Sequence, residues 1–238
     1  VLTKEPQLSL KVDALYYQTL SYAGLYQITK AKNNIEELKN LGYEFGMLYW
    51  KLGKVYLNEQ GQFDSAFYNE AVKQFKKAEN LGIDSLNFHR DLAFCYKQLG
   101  QLSQAVLEYK NVVLFPKSSA RDFLNLASLS KKMGNMDEAA KYFEEALSRD
   151  PENDAIYLEL GRIYYQRKNY ERAIELFQEG VERRADFTPI RFELAQAYYA
   201  NEDYMKAIAE FEKVIKANQH YHRAYYYIGL IHIQNKNY

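Results

Sequence analysis

Residues 154–187 read DAIYLELGRIYYQRKNYERAIELFQEGVERRADF. Tyr157, Leu160 and Tyr164 recur at i, i+3 and i+7, and Ala173, Phe177 and Val181 at i, i+4 and i+8. Side chains three or four apart share one face of an α-helix, so each half of the stretch has a single apolar side. The polar run Arg167-Lys168-Asn169 between them is a turn. The spacing predicts an antiparallel helix hairpin in which Gly161 faces Ala173. The missing side chain lets the two axes approach, and Tyr164 and Phe177 fill the space toward the next hairpin.

The stretch is one copy of a period. Thirty-four residues later come Arg191, Leu194, Ala195 and Tyr198, then Tyr204, Ala207 and Phe211. One step back gives Phe123, Leu126, Ala127, Ala139 and Phe143, and a second step back gives His89, Leu92, Ala93, Tyr96, Ala105 and Tyr109. Toward the front the spacing lengthens to forty: Leu81-Gly82 echoes Leu41-Gly42, and Ala71 and Phe75 echo Ala31 and Ile35. The repeat frames are therefore 6–45 (degenerate and long), 46–85 (long), 86–119, 120–153, 154–187, 188–221 and a partial 222–238 holding a first helix alone. Residues 1–238 read as a single repeat domain. Gln60-Gly61-Gln62-Phe63-Asp64 is the expected turn of the second frame, and Ala71 follows it late, so both helices of the long frames are expected to run about a turn longer. Gly42 and Gly82 suit left-handed caps, and Pro116 and Pro151 fall between repeats. No hairpin of this kind buries both apolar faces alone, so neighbours stack into an elongated core.

Composition agrees with an all-α chain. Among 238 residues there are four prolines and eleven glycines, too few turn signals for a β-rich fold. Thirty-one basic and thirty-one acidic residues balance, without the basic excess of a dedicated nucleic-acid binder. The one cysteine, Cys95, can form neither an intramolecular disulfide nor a thiolate zinc cluster, and it sits on an apolar stripe between Leu92 and Tyr96. No apolar run reaches the length of a membrane helix. The chain starts and stops inside helical pattern and reads as part of something longer. A reducing, cytoplasmic setting is slightly favoured, and a periplasmic or membrane-anchored module fits as well.

The motif Tyr157, Leu160, Gly161, Tyr164, Tyr170, Ala173, Phe177 closely resembles the tetratricopeptide repeat, with Gly180 in place of the last alanine. Frame 120–153 adds Gly134, Ala139, Phe143, Ala146 and Pro151. The resemblance covers about 46–238 well and 6–45 less well. It implies a right-handed superhelical solenoid of antiparallel helix hairpins, no enzymatic activity, no cofactor, and a concave groove lined by first helices that holds a peptide or protein segment. His89 and Arg191 depart from it, standing where an aromatic residue is usual, and looser stacking is expected there.

In that family, frame positions 2, 5, 9, 12 and 13 face the groove. Carried over, these give the candidate partner-binding residues Trp50, Lys54, Arg90, Phe94, Lys97, Arg121, Lys131, Arg162, Tyr165, Phe192, Tyr199 and Tyr226. None of the inward positions holds an acid, whereas carboxylates such as Glu144, Glu171 and Glu175 crowd the second helices. The expectation is one basic-aromatic face that takes an acidic segment bearing apolar anchors. The two-carboxylate clamp of co-chaperone repeats is matched at Arg90 and Asn125 but not at Phe94, Ala155 or Glu159, so a chaperone tail is not the expected partner.

Other chemistry is thin. His220, His222 and His232 are the one histidine cluster, and His232 lies about 15 Å along its helix from His222, too far for a shared metal. No phosphate loop, dinucleotide fingerprint or metalloprotease helix is present. Two rival readings stand beside it: self-assembly, since the last helix carries Tyr226, Tyr227, Ile228, Leu230 and Ile233 on more than one face, which suits a homo-oligomer joined there, and a regulatory repeat domain of a larger protein.

Overall fold

A computed structural model describes residues 6–58, 65–184 and 187–235. Its described residues form thirteen α-helices and no strand. They fall into two compact units, residues 1–118 and 119–238. The turn expected at Gln60–Asp64 and the two chain ends lie outside the described residues.

The first unit holds α1 (Pro6–Gly24), α2 (Ile28–Asn40), α3 (Gly46–Asn58), α4 (Ser65–Asn80), α5 (Leu86–Gln98) and α6 (Leu102–Leu114). The second holds α7 (Ala120–Lys132), α8 (Met136–Arg149), α9 (Asp154–Gln166), α10 (Tyr170–Arg183), α11 (Thr188–Ala200), α12 (Tyr204–Ala217) and α13 (His222–Asn235). Within each unit consecutive helices pack as antiparallel pairs, and pairs stack on pairs. The extra length of the first repeat is not shared between both of its helices. In frame 6–45 it goes to α1, 19 residues long beside a 13-residue α2, whereas in frame 46–85 α3 and α4 both end against residues outside the described ones.

Small-against-large packing holds the hairpins closed. A Cβ added at Gly161 would fall 2.4 Å from the Phe177 ring, and one added at Gly53 would fall 2.4 Å from Phe75. The nearest atoms to Gly161 are thus those of Phe177, rather than Ala173 as the spacing suggested. Both rings are fully buried, each contributing roughly 1.5–3 kcal/mol from the area removed from water. Cys95 is likewise buried, and its thiol pKa is pushed up to about 12 by that burial.

The turn inside each of the four 34-residue hairpins uses one backbone geometry. Gly100 (φ 71°), Gly134 (φ 82°), Lys168 (φ 61°) and Glu202 (φ 65°) all occupy the fifteenth position of their frames in the left-handed region. Two repeats supply glycine there and two force an ordinary side chain into a conformation that costs it roughly 1–2 kcal/mol. At helix starts, Ser85 Oγ accepts from the Phe88 amide at 3.3 Å, and Ser119 and Asp122 form a reciprocal capping box.

Position 4 shows a substitution in pairs. Where the aromatic is replaced by His89, the ring bonds Glu108 of α6 at 2.7 Å and Asp84 at 2.9 Å. Where it is replaced by Arg191, the guanidinium bonds Glu210 of α12 at 2.7 Å, with both side chains about 14% exposed. Glu108 and Glu210 occupy the same frame position, where the repeats with Phe123 and Tyr157 carry Tyr142 and Leu176. In both repeats a bond to a buried or nearly buried glutamate therefore crosses the hairpin at these positions. The hydrogen bond to Glu108 is the chief cause of a raised His89 pKa; burial opposes it, and Asp84 adds to it.

Candidate peptide-binding face

In the first unit α3 and α5 lie side by side. Trp50 Nε1 donates to Asp91 Oδ2 at 2.9 Å, and Lys54 Nζ lies 3.9 Å from the same oxygen. Lys51 and Lys54 both approach the Trp50 ring, each 5.9 Å from its centroid. Burial raises the Asp91 pKa, against the Trp50 bond and the charges of Lys54 and Lys51. Phe94, 39% exposed, meets Tyr68 edge-on at 6.1 Å. Arg90 bonds Asn87 at 3.2 Å, and Lys97 is exposed one turn beyond Phe94.

In the second unit α9 and α11 lie side by side. Arg162 donates through Nε and an η nitrogen to Glu193 Oε1, at 2.9 and 2.7 Å, and its other η nitrogen reaches Glu159 at 3.3 Å. Lys131 of α7 pairs with Glu159 as well. Burial works against the Arg162 charge, but Glu193 and Glu159 outweigh it and its pKa is raised. Gln196 donates to the Tyr227 hydroxyl at 2.7 Å. Arg121 is exposed near the start of α7.

These links follow one rule. Position 9 of a repeat reaches position 6 of the next: Lys54 to Asp91, Arg162 to Glu193, Gln196 to Tyr227. The expectation of an acid-free basic face is therefore overturned. The inward positions themselves carry no acid, but position 6 lies beside them on the first helices and supplies Asp91, Glu159 and Glu193. The recurrence of an acid at position 6 in three of the repeats is readable in the sequence.

The aromatic candidates separate into two kinds. Phe192 does not belong to the face: it is 2% exposed, packed among Tyr221 at 4.8 Å, Phe211 at 5.6 Å and Tyr227 at 6.1 Å, with Arg223 over its ring. Position 5 of that repeat serves the core because the α12 and α13 rings close over it. Tyr165 and Tyr199 are half-buried, and Tyr226 is 64% exposed. Tyr165 meets Tyr170 at 5.4 Å and Tyr199 meets Tyr204 at 5.9 Å, with interplanar angles of 57° and 55°. Tyr170 and Tyr204 open the second helices and were not among the candidates.

No group of three or more His, Cys, Asp or Glu among the described residues is placed to hold a metal ion; the His220 and His222 rings are 6.4 Å apart. No helix among the described residues is long and apolar enough to cross a membrane.

Stacked helix pairs with a first-helix face of clasped charges and half-exposed rings define the class: a helical-repeat binding scaffold. Tetratricopeptide repeat profiles match residues 131–189 and 192–238. Those residues carry tetratricopeptide repeats, which are non-catalytic protein-interaction modules. No curated protein matches the chain. Similar folds are found among solved structures. YrrB, described as a TPR protein with an unusual peptide-binding site, shares 16% identity over 84% of this chain and 96% of its own, at a TM-score of 0.66. MamA shares 17% over 73% and 92%, at 0.63. The C-terminal part of a TPR repeat-containing protein from Cytophaga hutchinsonii shares 24% over 71% and 67%, at 0.59. At such identities the likeness is one of fold.

Proposed function

We propose that the first-helix faces bind a segment of another protein through aromatic anchors held in a charge-compensated frame. The observation that carries this reading is the position 9 to position 6 clasp, which fixes neighbouring first helices while leaving Trp50, Phe94, Tyr165, Tyr199 and Tyr226 with accessible ring surface. Aromatic residues with part of their surface free dominate protein interfaces energetically. An acidic segment remains the finer proposal, at Arg90 and Lys97 in the first unit and, separately, at Arg121 and Lys131 in the second. A partner carboxylate there competes with Glu159 for Lys131, so the basic residues act as exchangeable partners rather than as an open field.

The test is selection of binders from a random peptide library displayed against the chain, followed by titration of the selected peptides. Replacing Phe94, Tyr165 and Tyr199 with alanine is expected to weaken them at least tenfold, and reversing Arg90 and Lys131 to glutamate to weaken the acidic ones. Selected peptides indifferent to the aromatic replacements refute the reading. A second reading is self-association through α13, favoured by Tyr225, Tyr226 and Ile233 at 49%, 64% and 63% exposure. Light scattering over a hundredfold concentration range tests it, and a constant monomer mass refutes it.

A further inference from the structure

The first hairpin closes on a residue that its turn does not favour. The Tyr26 amide donates to the Ala23 carbonyl at 3.2 Å and the Gln27 amide to the Tyr22 carbonyl at 2.8 Å, as Gly100 and Gln101 donate to Lys97 and Tyr96 in the third repeat. The turn needs the same left-handed residue, and Tyr26 supplies it at φ 57°. Glycine enters this region freely and a bulky side chain rarely does. Burial does not account for the tyrosine, which is 54% exposed. A strained residue that the core does not use points to a role at the surface.

Tyr26 lines a pocket of about 340 Å³ between the end of α1 and α3. Leu20, Ala23 and Val55 give the pocket its apolar lining, and Lys51 and Lys54 bring two ammonium groups. Small-molecule sites span about 300–1,000 Å³, and this one lies at the lower end. Charge selects part of the occupant. Lys51 and Lys54 both act on Asp91, which is bound to the Trp50 indole and does not line the pocket. Two cations share one carboxylate, and one positive charge is left over. A cationic ligand is repelled by that excess, a neutral one leaves it unanswered, and a monoanion balances it. The lining selects the rest. Apart from the Tyr26 hydroxyl, no side chain in it accepts a hydrogen bond, so a peptide backbone entering would leave N–H groups unpaired. An alkyl chain needs no such partner and gains by leaving water.

We propose that this pocket binds a small aliphatic carboxylate, with its alkyl chain on Leu20, Ala23 and Val55 and its carboxylate on Lys51 and Lys54. The ligand is a free acid rather than part of a polypeptide, so the site adds a second kind of occupant to the first unit.

Trp50 is the one tryptophan of the chain and both lysines approach its ring, so its fluorescence reports occupancy. Hexanoate titrated into the whole chain is expected to saturate this signal. Hexanamide, which lacks the charge, and hexylammonium, which reverses it, are expected not to, and acetate, which lacks the alkyl chain, is expected to bind at least tenfold more weakly. Lys51→Gln should weaken hexanoate about tenfold through loss of a charge-assisted bond, and Lys73→Gln, on α4, should leave it unchanged. Tyr26→Gly separates binding from folding: relief of the turn should raise the urea midpoint, while loss of the ring weakens hexanoate at least threefold. Absence of saturation at millimolar hexanoate, equal binding of hexanamide, or indifference to Lys51→Gln or to Tyr26→Gly overturns the proposal. Preference for acetyl-Gly-Gly-leucine over hexanoate also overturns it, since the pocket would then belong to the peptide face. The peptide reading is tested at Phe94, Tyr165 and Tyr199, none of which lines the pocket, so the two readings fail separately.

Discussion

Gly161 and Gly229 stand at the eighth position of their frames, yet the same substitution should act on them with opposite sign. A Cβ at Gly161 would lie 2.4, 2.7 and 2.8 Å from three atoms of the Phe177 ring, whereas nothing lies within 4 Å of a Cβ at Gly229. Alanine in a helix interior is favoured over glycine by about 1 kcal/mol. At Gly229 that gain is unopposed, and Gly229→Ala should stabilise α13 by about 1 kcal/mol. At Gly161 the ring is fully buried and cannot swing aside. Overpacking of a filled core costs about 1–3 kcal/mol, so the net effect of Gly161→Ala is a loss of about 1 kcal/mol. Repeat proteins open locally, so hydrogen exchange is the suitable assay, and 1 kcal/mol is about a fivefold change in protection. Exchange of α9 and α10 amides should speed up in Gly161→Ala, and exchange of α13 amides should slow in Gly229→Ala. Combining Gly161→Ala with Phe177→Leu should recover part of the loss, because the ring edge is what collides. Equal stabilisation at both glycines, or no coupling to position 177, refutes the small-against-large account of the hairpin.

Lys168→Gly and Glu202→Gly should each stabilise the second unit by about 0.5–1 kcal/mol, the relief of a left-handed side chain less the entropy of glycine, measured by urea denaturation; a loss at both sites contradicts it. The raised His89 pKa gives the first unit a stability contribution that is complete below pH 6.5 and is lost as the pH rises through the folded-state value. Melting temperatures of the chain and of His89→Gln should therefore differ most near pH 6 and converge in alkaline solution, and a pH-independent difference argues against a charged His89 between Glu108 and Asp84. With its pKa pushed up to about 12 by burial, Cys95 should resist thiol reagents at pH 8 in the folded chain and react on denaturation.

The repeat period was legible in the residues. Small residues at position 8, such as Gly161, Ala127 and Ala195, and bulky ones such as Phe143, Phe177 and Phe211 recur at fixed spacing. Helix formation and hairpin closure depend on such local intervals, so the all-α fold followed from them. The polar turn at Lys168 was legible too, but its left-handed backbone was not, because lysine gives no sign of it where Gly100 and Gly134 do.

What the sequence by itself determined is the hairpin and its core, since both arise from residues within one frame. What the tertiary structure decided is the character of the exposed face. Whether Arg162 is a free cation or half of an ion pair depends on Glu193, 31 positions away on another helix. Whether Phe192 greets a partner or fills the core depends on Tyr221 and Tyr227 closing over it. Contacts between repeats are set by how helices stack, and stacking places side by side residues that no helical interval relates.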